Sequence, residues 1–109
     1  MSSIVYCIAE FAPKAGCEEK LFNLLTSLEP LALREDGCLK YRVTRQINHP
    51  AANTASKFSL VFHEEWASID AFNEHGAQPY IVNFFKTYVE TPETSLVDDF
   101  SLRIFSDEI

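Results

Sequence analysis

Between Glu64 and His75 the chain reads EEWASIDAFNEH, placing a carboxylate, an indole and an imidazole among apolar neighbours. His75 shares a side with Phe72, three residues earlier, near the end of a short predicted helix. An imidazole opening into an apolar cleft titrates near neutrality and can take a proton from a substrate. Its alternative is a solvated histidine at the negative end of the helix dipole. Trp66 stands where a strand turns into that helix. It is either a core aromatic closing one end of a sheet, or a stacking wall and N–H donor for a flat ring.

The other candidates are weaker. Glu64 shares a strand face with Phe62, Leu60 and Trp66, so its carboxylate needs a partner. Arg42 or Arg45 on the neighbouring strand is the expected one, in a structural ion pair rather than as a general base. Tyr6, Tyr41 and Tyr80 are aromatics whose hydroxyls can donate to a substrate oxygen. His63 alternates with Val61 and Glu65, away from Trp66, and His49 lies beside Pro50 in a polar loop. Cys7, Cys17 and Cys38 match no zinc spacing and cannot all pair, so they read as reduced thiols. Cys7 and Cys38 look like small buried hydrophobes. No GxGxxG, Walker, GxSxG, HExxH or CxxC motif occurs.

The elements that must position these residues follow from periodicity. Ile4 to Phe11 is rich in β-formers and apolar on both sides. After Pro13 and Gly16, the residues Cys17, Leu21, Leu24, Leu25 and Leu28 recur at helical spacing, with Glu18 and Glu19 in the first turn. Pro30 predicts a kink or restart, and Gly37 the end of the helical region. Cys38 to Ile47 alternates, with Leu39, Tyr41, Val43, Arg45 and Ile47 on one face. A loop over 48–56 precedes a second alternating run, Lys57 to Trp66. Ser68 suits a helix N-cap and Pro79 the first position of the next helix, which carries Ile81, Phe84, Phe85, Tyr88 and Val89. A last strand runs from about Ser95 to Phe105.

The order is β-α-β-β-α-β, the ferredoxin-like α+β topology: an antiparallel four-stranded sheet with helices on one face. With one face bare and the first strand apolar on both sides, a homodimer packed sheet to sheet is expected.

The 109 residues make one domain, residues 1–109. Nine Phe, four Tyr and one Trp are too many aromatics for an unfolded chain. A net charge of −7 with no Lys/Arg cluster repels a phosphate backbone, so nucleic acid and anionic membrane are excluded as partners. No apolar run is long enough to span a bilayer and no signal peptide opens the chain, which places the expected location in the cytoplasm.

Two segments carry a family resemblance. LREDGCLKYRV (33–43) resembles an R-x-E/D-x-G-C-L-x-Y-x-V stretch entering the second strand, and EEWASIDAFNEH (64–75) resembles an E-x-W-x-S-x-x-A-x-x-x-H stretch leaving the third. In this order and spacing they resemble the antibiotic biosynthesis monooxygenase family, from Ile4 to about Phe105. The resemblance implies a dimeric α+β barrel with a pocket between each sheet and its own helices. It implies oxygenation of quinols or anthrones without metal or flavin, rearrangement or degradation of small carbonyl compounds, or haem degradation. Here Phe62 and Phe72 stand where anthrone-oxygenating members carry Asn and Tyr, and the first strand lacks the Asn of the haem-degrading branch.

The reading is a cofactor-independent monooxygenase acting on a small electron-rich aromatic, a quinol or polyphenol. The alternatives are an isomerase or degrading enzyme for a small carbonyl compound, or a non-catalytic dimer that binds an aromatic ligand. Without a cofactor the substrate supplies the electrons, so it must lose a proton to give a delocalised anion. The protein must then supply a base, a donor for the anionic oxygen and a dry chamber. The resemblance implies that the Trp66 position lines the pocket and the His75 position lies at its mouth; in this reading His75 is the base and Trp66 the stacking partner. Tyr6 or Tyr41 is the donor, and Phe62, Phe72, Phe84 and Phe85 are the walls.

Overall fold

A computed structural model describes residues 3–107. The order of elements is β1 (Val5–Pro13), α1 (Glu18–Ala32), β2 (Cys38–Arg45), β3 (Leu60–Trp66), α2 (Ile69–Gly76), α3 (Pro79–Phe85), a π-helical turn (Lys86–Glu90) and β4 (Val97–Ser106). The four strands form one antiparallel sheet in the order β2-β3-β1-β4. This is the ferredoxin-like α+β architecture, with the second crossover divided into α2, α3 and the π turn.

The shortest principal extent is 20 Å. That is the thickness of one sheet plus one layer of helices, so one sheet face carries no second layer. Alternation decides which side chains go where. Val5, Cys7, Ala9 and Phe11 of β1, with Leu60, Phe62, Glu64 and Trp66 of β3, are buried toward the helices. Tyr6, Ile8 and Glu10 take the other face. Helix α1 buries Leu21, Leu25, Leu28 and Ala32 along a single stripe. No helix among the described residues is long and apolar enough to cross a membrane.

Several local expectations change. Helix α1 runs unbroken through Pro30 to Ala32. Pro30 sits in the last turn, where it forfeits one hydrogen bond, and the Glu29 carboxylate is tied to β2 by accepting from Val43 N–H at 2.8 Å. Leu39 is 52% exposed rather than inward, because the register shifts between Cys38 and Lys40 and bulges it out of the ladder. Strand β2 ends at Arg45, so Ile47 is exposed. Ser68 caps α2 as expected, accepting from Ala71 N–H at 3.1 Å, and Pro79 opens α3.

Gly37 is where the two halves of the site meet. Its φ of +82° favours glycine, and a Cβ there would lie 2.7 Å from the Ala71 Cβ of α2. Its carbonyl accepts from Ala67 N–H at 2.7 Å, tying the α1–β2 turn to the β3–α2 turn.

Candidate functional site

Two rows across the sheet build the floor of the site. Glu64 of β3 stands between Cys7 of β1 and Tyr41 of β2, and Phe62 between Ala9 and Val43. Above them lies a cavity of about 100 Å³. Its walls include Phe62, Phe72, Phe84 and Phe85, the four named above as candidate walls, together with Phe11 and Phe100. Phe11 packs edge to face with Phe62 at 6.3 Å and Phe84 at 6.2 Å between ring centroids. The titratable side chains that reach this surface are Tyr41, Glu64 and His75; among the described residues no Lys or Arg lines it.

His75 is 5% exposed in the last turn of α2. Its Nδ1 lies 2.8 Å from Oε2 of Glu35, which also accepts from the Tyr80 hydroxyl. With a carboxylate as acceptor, Nδ1 carries the hydrogen and Nε2 the lone pair. Burial lowers the imidazole pKa and outweighs the nearby Glu35, which pulls the other way. At neutral pH the contact is therefore a hydrogen bond to a neutral ring rather than an ion pair. Every buried side-chain N or O among the described residues has a partner. Nε2 makes no hydrogen bond, so it keeps an accessible surface, and the cavity is the opening that His75 lines.

Glu64 is 6% exposed and forms no ion pair among the described residues. The expected ion pair is not formed: Arg42 pairs across the sheet with His63 on the opposite face, and Arg45 reaches Glu19 at 3.2 Å. Oε1 of Glu64 instead accepts from the Trp66 indole at 3.0 Å. Burial raises its pKa to about 7, the indole bond opposes the rise and the Glu35 charge adds to it. Tyr41 is pushed above the ordinary tyrosine value by burial and then by Glu64, so its hydroxyl keeps its proton and can donate. Burial likewise raises Cys7 to about 12 and Cys38 to about 11, which leaves both as thiols; all three cysteines are free.

Two expected site residues stand elsewhere. Trp66 is fully buried and does not line the cavity; it backs it, with its ring 4.5 Å from the His75 ring. The indole N–H is already spent on Glu64. Tyr6 lies on the open face, one residue out of phase with Val5 and Cys7, and its hydroxyl donates to Asp107 at 3.3 Å. Strand parity keeps it from the cavity. Sequence reasoning misses Glu35. It holds the E/D position of the stretch that enters the second strand, but nothing there points to a partner forty positions on. Among the described residues no three His, Cys, Asp or Glu side chains converge as a metal site would need.

The sequence profile of the antibiotic biosynthesis monooxygenase family matches residues 4–87, and the chain belongs to that family. No curated protein matches the chain by sequence. Among solved structures it is similar to protein SO0527 from Shewanella oneidensis, with 30% identity, a TM-score of 0.79, and 98% of this chain and 93% of that one covered. It shares its fold with a hydroxynitrile lyase from Passiflora edulis, at 12% identity and a TM-score of 0.77 over 99% and 96% of the two chains. It also shares it with a point mutant of SnoaB, a cofactor-independent oxygenase from Streptomyces nogalater, at 16% identity and a TM-score of 0.70 over 94% and 90%.

Proposed function

We propose that the chain is a cofactor-independent monooxygenase acting on a small quinol-like aromatic, with His75 as the base. The observation that carries this reading is the setting of His75: Glu35 holds Nδ1, Nε2 is left without a hydrogen bond, and the residue lines an aromatic cavity. Membership of the monooxygenase family and the likeness in fold to SnoaB, a cofactor-independent oxygenase, support it. Nε2 takes the hydroxyl proton of the quinol, and Tyr41 donates to the resulting oxyanion. The delocalised anion gives an electron to dioxygen, the two radicals join at a ring carbon, and the peroxide loses water. A quinol bearing a ring hydrogen and one O₂ thus yield a hydroxyquinone and one H₂O, all four electrons coming from the substrate.

The test is oxygen uptake with a panel of small quinols, above their spontaneous oxidation, by the wild type and by His75→Ala. Uptake that collapses in the variant supports the reading; full turnover in the variant removes His75 from it.

A second reading has one observation in its favour: two proton carriers, His75 and Glu64, line a single cavity. Such a pair suits removal and return of a proton in a small carbonyl compound. Rearrangement without oxygen consumption identifies it.

The assembly belongs to the same proposal. Leu102 and Ile104 pair with Ala9 and Cys7 on the helix side, yet are 42% and 48% exposed, and Phe105 on the other face is 49% exposed. The helices stop short of β4, and Leu102 stands at the rim of the cavity. A second copy seated on the bare sheet and β4 covers these residues and dries the chamber.

A further inference from the structure

Resting on the reading of this cavity as the substrate site, we propose that Glu64 is the residue that grips the ligand's hydroxyl, and that Trp66 positions it. The geometry divides the carboxylate in two. Oε1 is pinned by the indole N–H at 3.0 Å. Oε2 has no partner, and because no buried side-chain oxygen among the described residues lacks one, Oε2 keeps an accessible surface. The opening that Glu64 lines is the cavity. Glu64 is thus a catalytic residue in contact with the ligand, and Trp66 acts through it.

The same arrangement limits what the ligand can be. Cys7 and Tyr41 flank Glu64 on neighbouring strands, His75 faces the same cavity from α2, and Glu35 and Tyr80 stand behind His75. None of these is a cation at neutral pH, so a carboxylate- or phosphate-bearing ligand meets acids and no compensating charge. An uncharged hydroxylated ring meets an acceptor that suits it. Near neutrality Glu64 exchanges its proton readily, since burial lifts its pKa to about 7. At about 100 Å³ the cavity is of the order of one that holds a single benzene ring (roughly 150 Å³). The ligand class is therefore a neutral single-ring phenol or quinol, with any larger body projecting through the rim at Leu102.

Fluorine NMR titration with para-fluorophenol and para-fluorotoluene, an isosteric pair differing in one hydroxyl, tests the grip without requiring turnover. The wild type is expected to hold the phenol at least about tenfold more tightly, the usual scale for a hydrogen bond to a charged group. Glu64→Gln removes most of that preference and leaves the affinity for fluorotoluene within about twofold. Glu64→Asp, which keeps the charge but withdraws it by one methylene, does the same. Trp66→Phe releases Oε1, and because the indole bond holds the carboxyl pKa down, the pH midpoint of the preference moves upward. An unchanged preference in both Glu64 variants overturns the proposal. So does a preference lost in Tyr41→Phe and kept in Glu64→Gln. Absent oxygen uptake with an intact hydroxyl preference refutes the oxygenase reading alone.

Discussion

The Trp66 indole donates to the Glu64 carboxylate at 3.0 Å, two residues back on the same face of β3. That bond removes from the ligand the one N–H donor the indole has. It also stabilises a carboxylate that would otherwise be buried with no partner. The polar side chains that line the cavity are Glu64, Tyr41 and His75, and the predictions follow from how each is held.

His75→Ala removes the proposed base. Turnover of a responsive quinol is expected to fall by roughly 10²–10⁴-fold, with little change in fold, measured by initial rates and circular dichroism. Glu35→Gln leaves the imidazole in place but takes away the charge that favours its protonated form. The acid limb of the kcat/KM profile then moves to lower pH. A limb that stays in place or moves upward contradicts the assigned pairing.

Glu64 also governs stability. Its folded pKa, about 7, lies above the ordinary 4.5, so the folded chain binds the proton more tightly than the unfolded chain. The resulting stabilisation is complete below about pH 4.5 and is lost as pH rises to about 7. Glu64→Gln cannot lose it. The variant gains on the wild type between these limits and levels off above about pH 7 at about 3 kcal/mol, in denaturant titrations across pH. His75, with a lowered pKa, loses stability on acidification in both proteins, so the difference between them isolates the carboxyl. A pH-independent difference contradicts the account.

Gly37→Ala is expected to destabilise the fold by about 2 kcal/mol or more. It forces a side chain into positive φ and sets a Cβ 2.7 Å from Ala71. Because the same turn carries Glu35 toward His75, the variant also loses turnover at temperatures where it remains folded. Thermal unfolding followed by assay below the transition checks both.

The bare sheet face gives a prediction about assembly. Sedimentation at micromolar concentration is expected to show a dimer for the wild type and a monomer for Ile8→Asp, which places a charge in the middle of that face. A wild type that sediments as a single copy removes the proposed dimer and, with it, the closure of the cavity at Leu102.

Much of the architecture was legible in the residues because periodicity reports directly on burial. The alternation in β3 puts Phe62, Glu64 and Trp66 on one face and His63 on the other, as found. Ser68 and Pro79 mark the helix starts by their capping chemistry. What could not be read was tertiary. Leu39 is turned out by a bulge that the alternating pattern does not announce. Tyr6 has the right chemistry for a donor but sits on the wrong parity of a strand apolar on both sides. The Glu35–His75 contact depends on how closely two turns approach at Gly37, which no local pattern encodes. Charge alone points to arginines as the partners of Glu64, whereas a bond to an indole two residues away satisfies it without a second charge.

Oxygen consumption with a small hydroquinone, corrected for spontaneous oxidation, tests the central claim most directly. The wild type is expected to take up one O₂ per hydroxyquinone formed, and His75→Ala to react at least about 100-fold more slowly. Oxygen uptake no faster than the spontaneous reaction across the quinol panel, or equal uptake by both proteins, contradicts it.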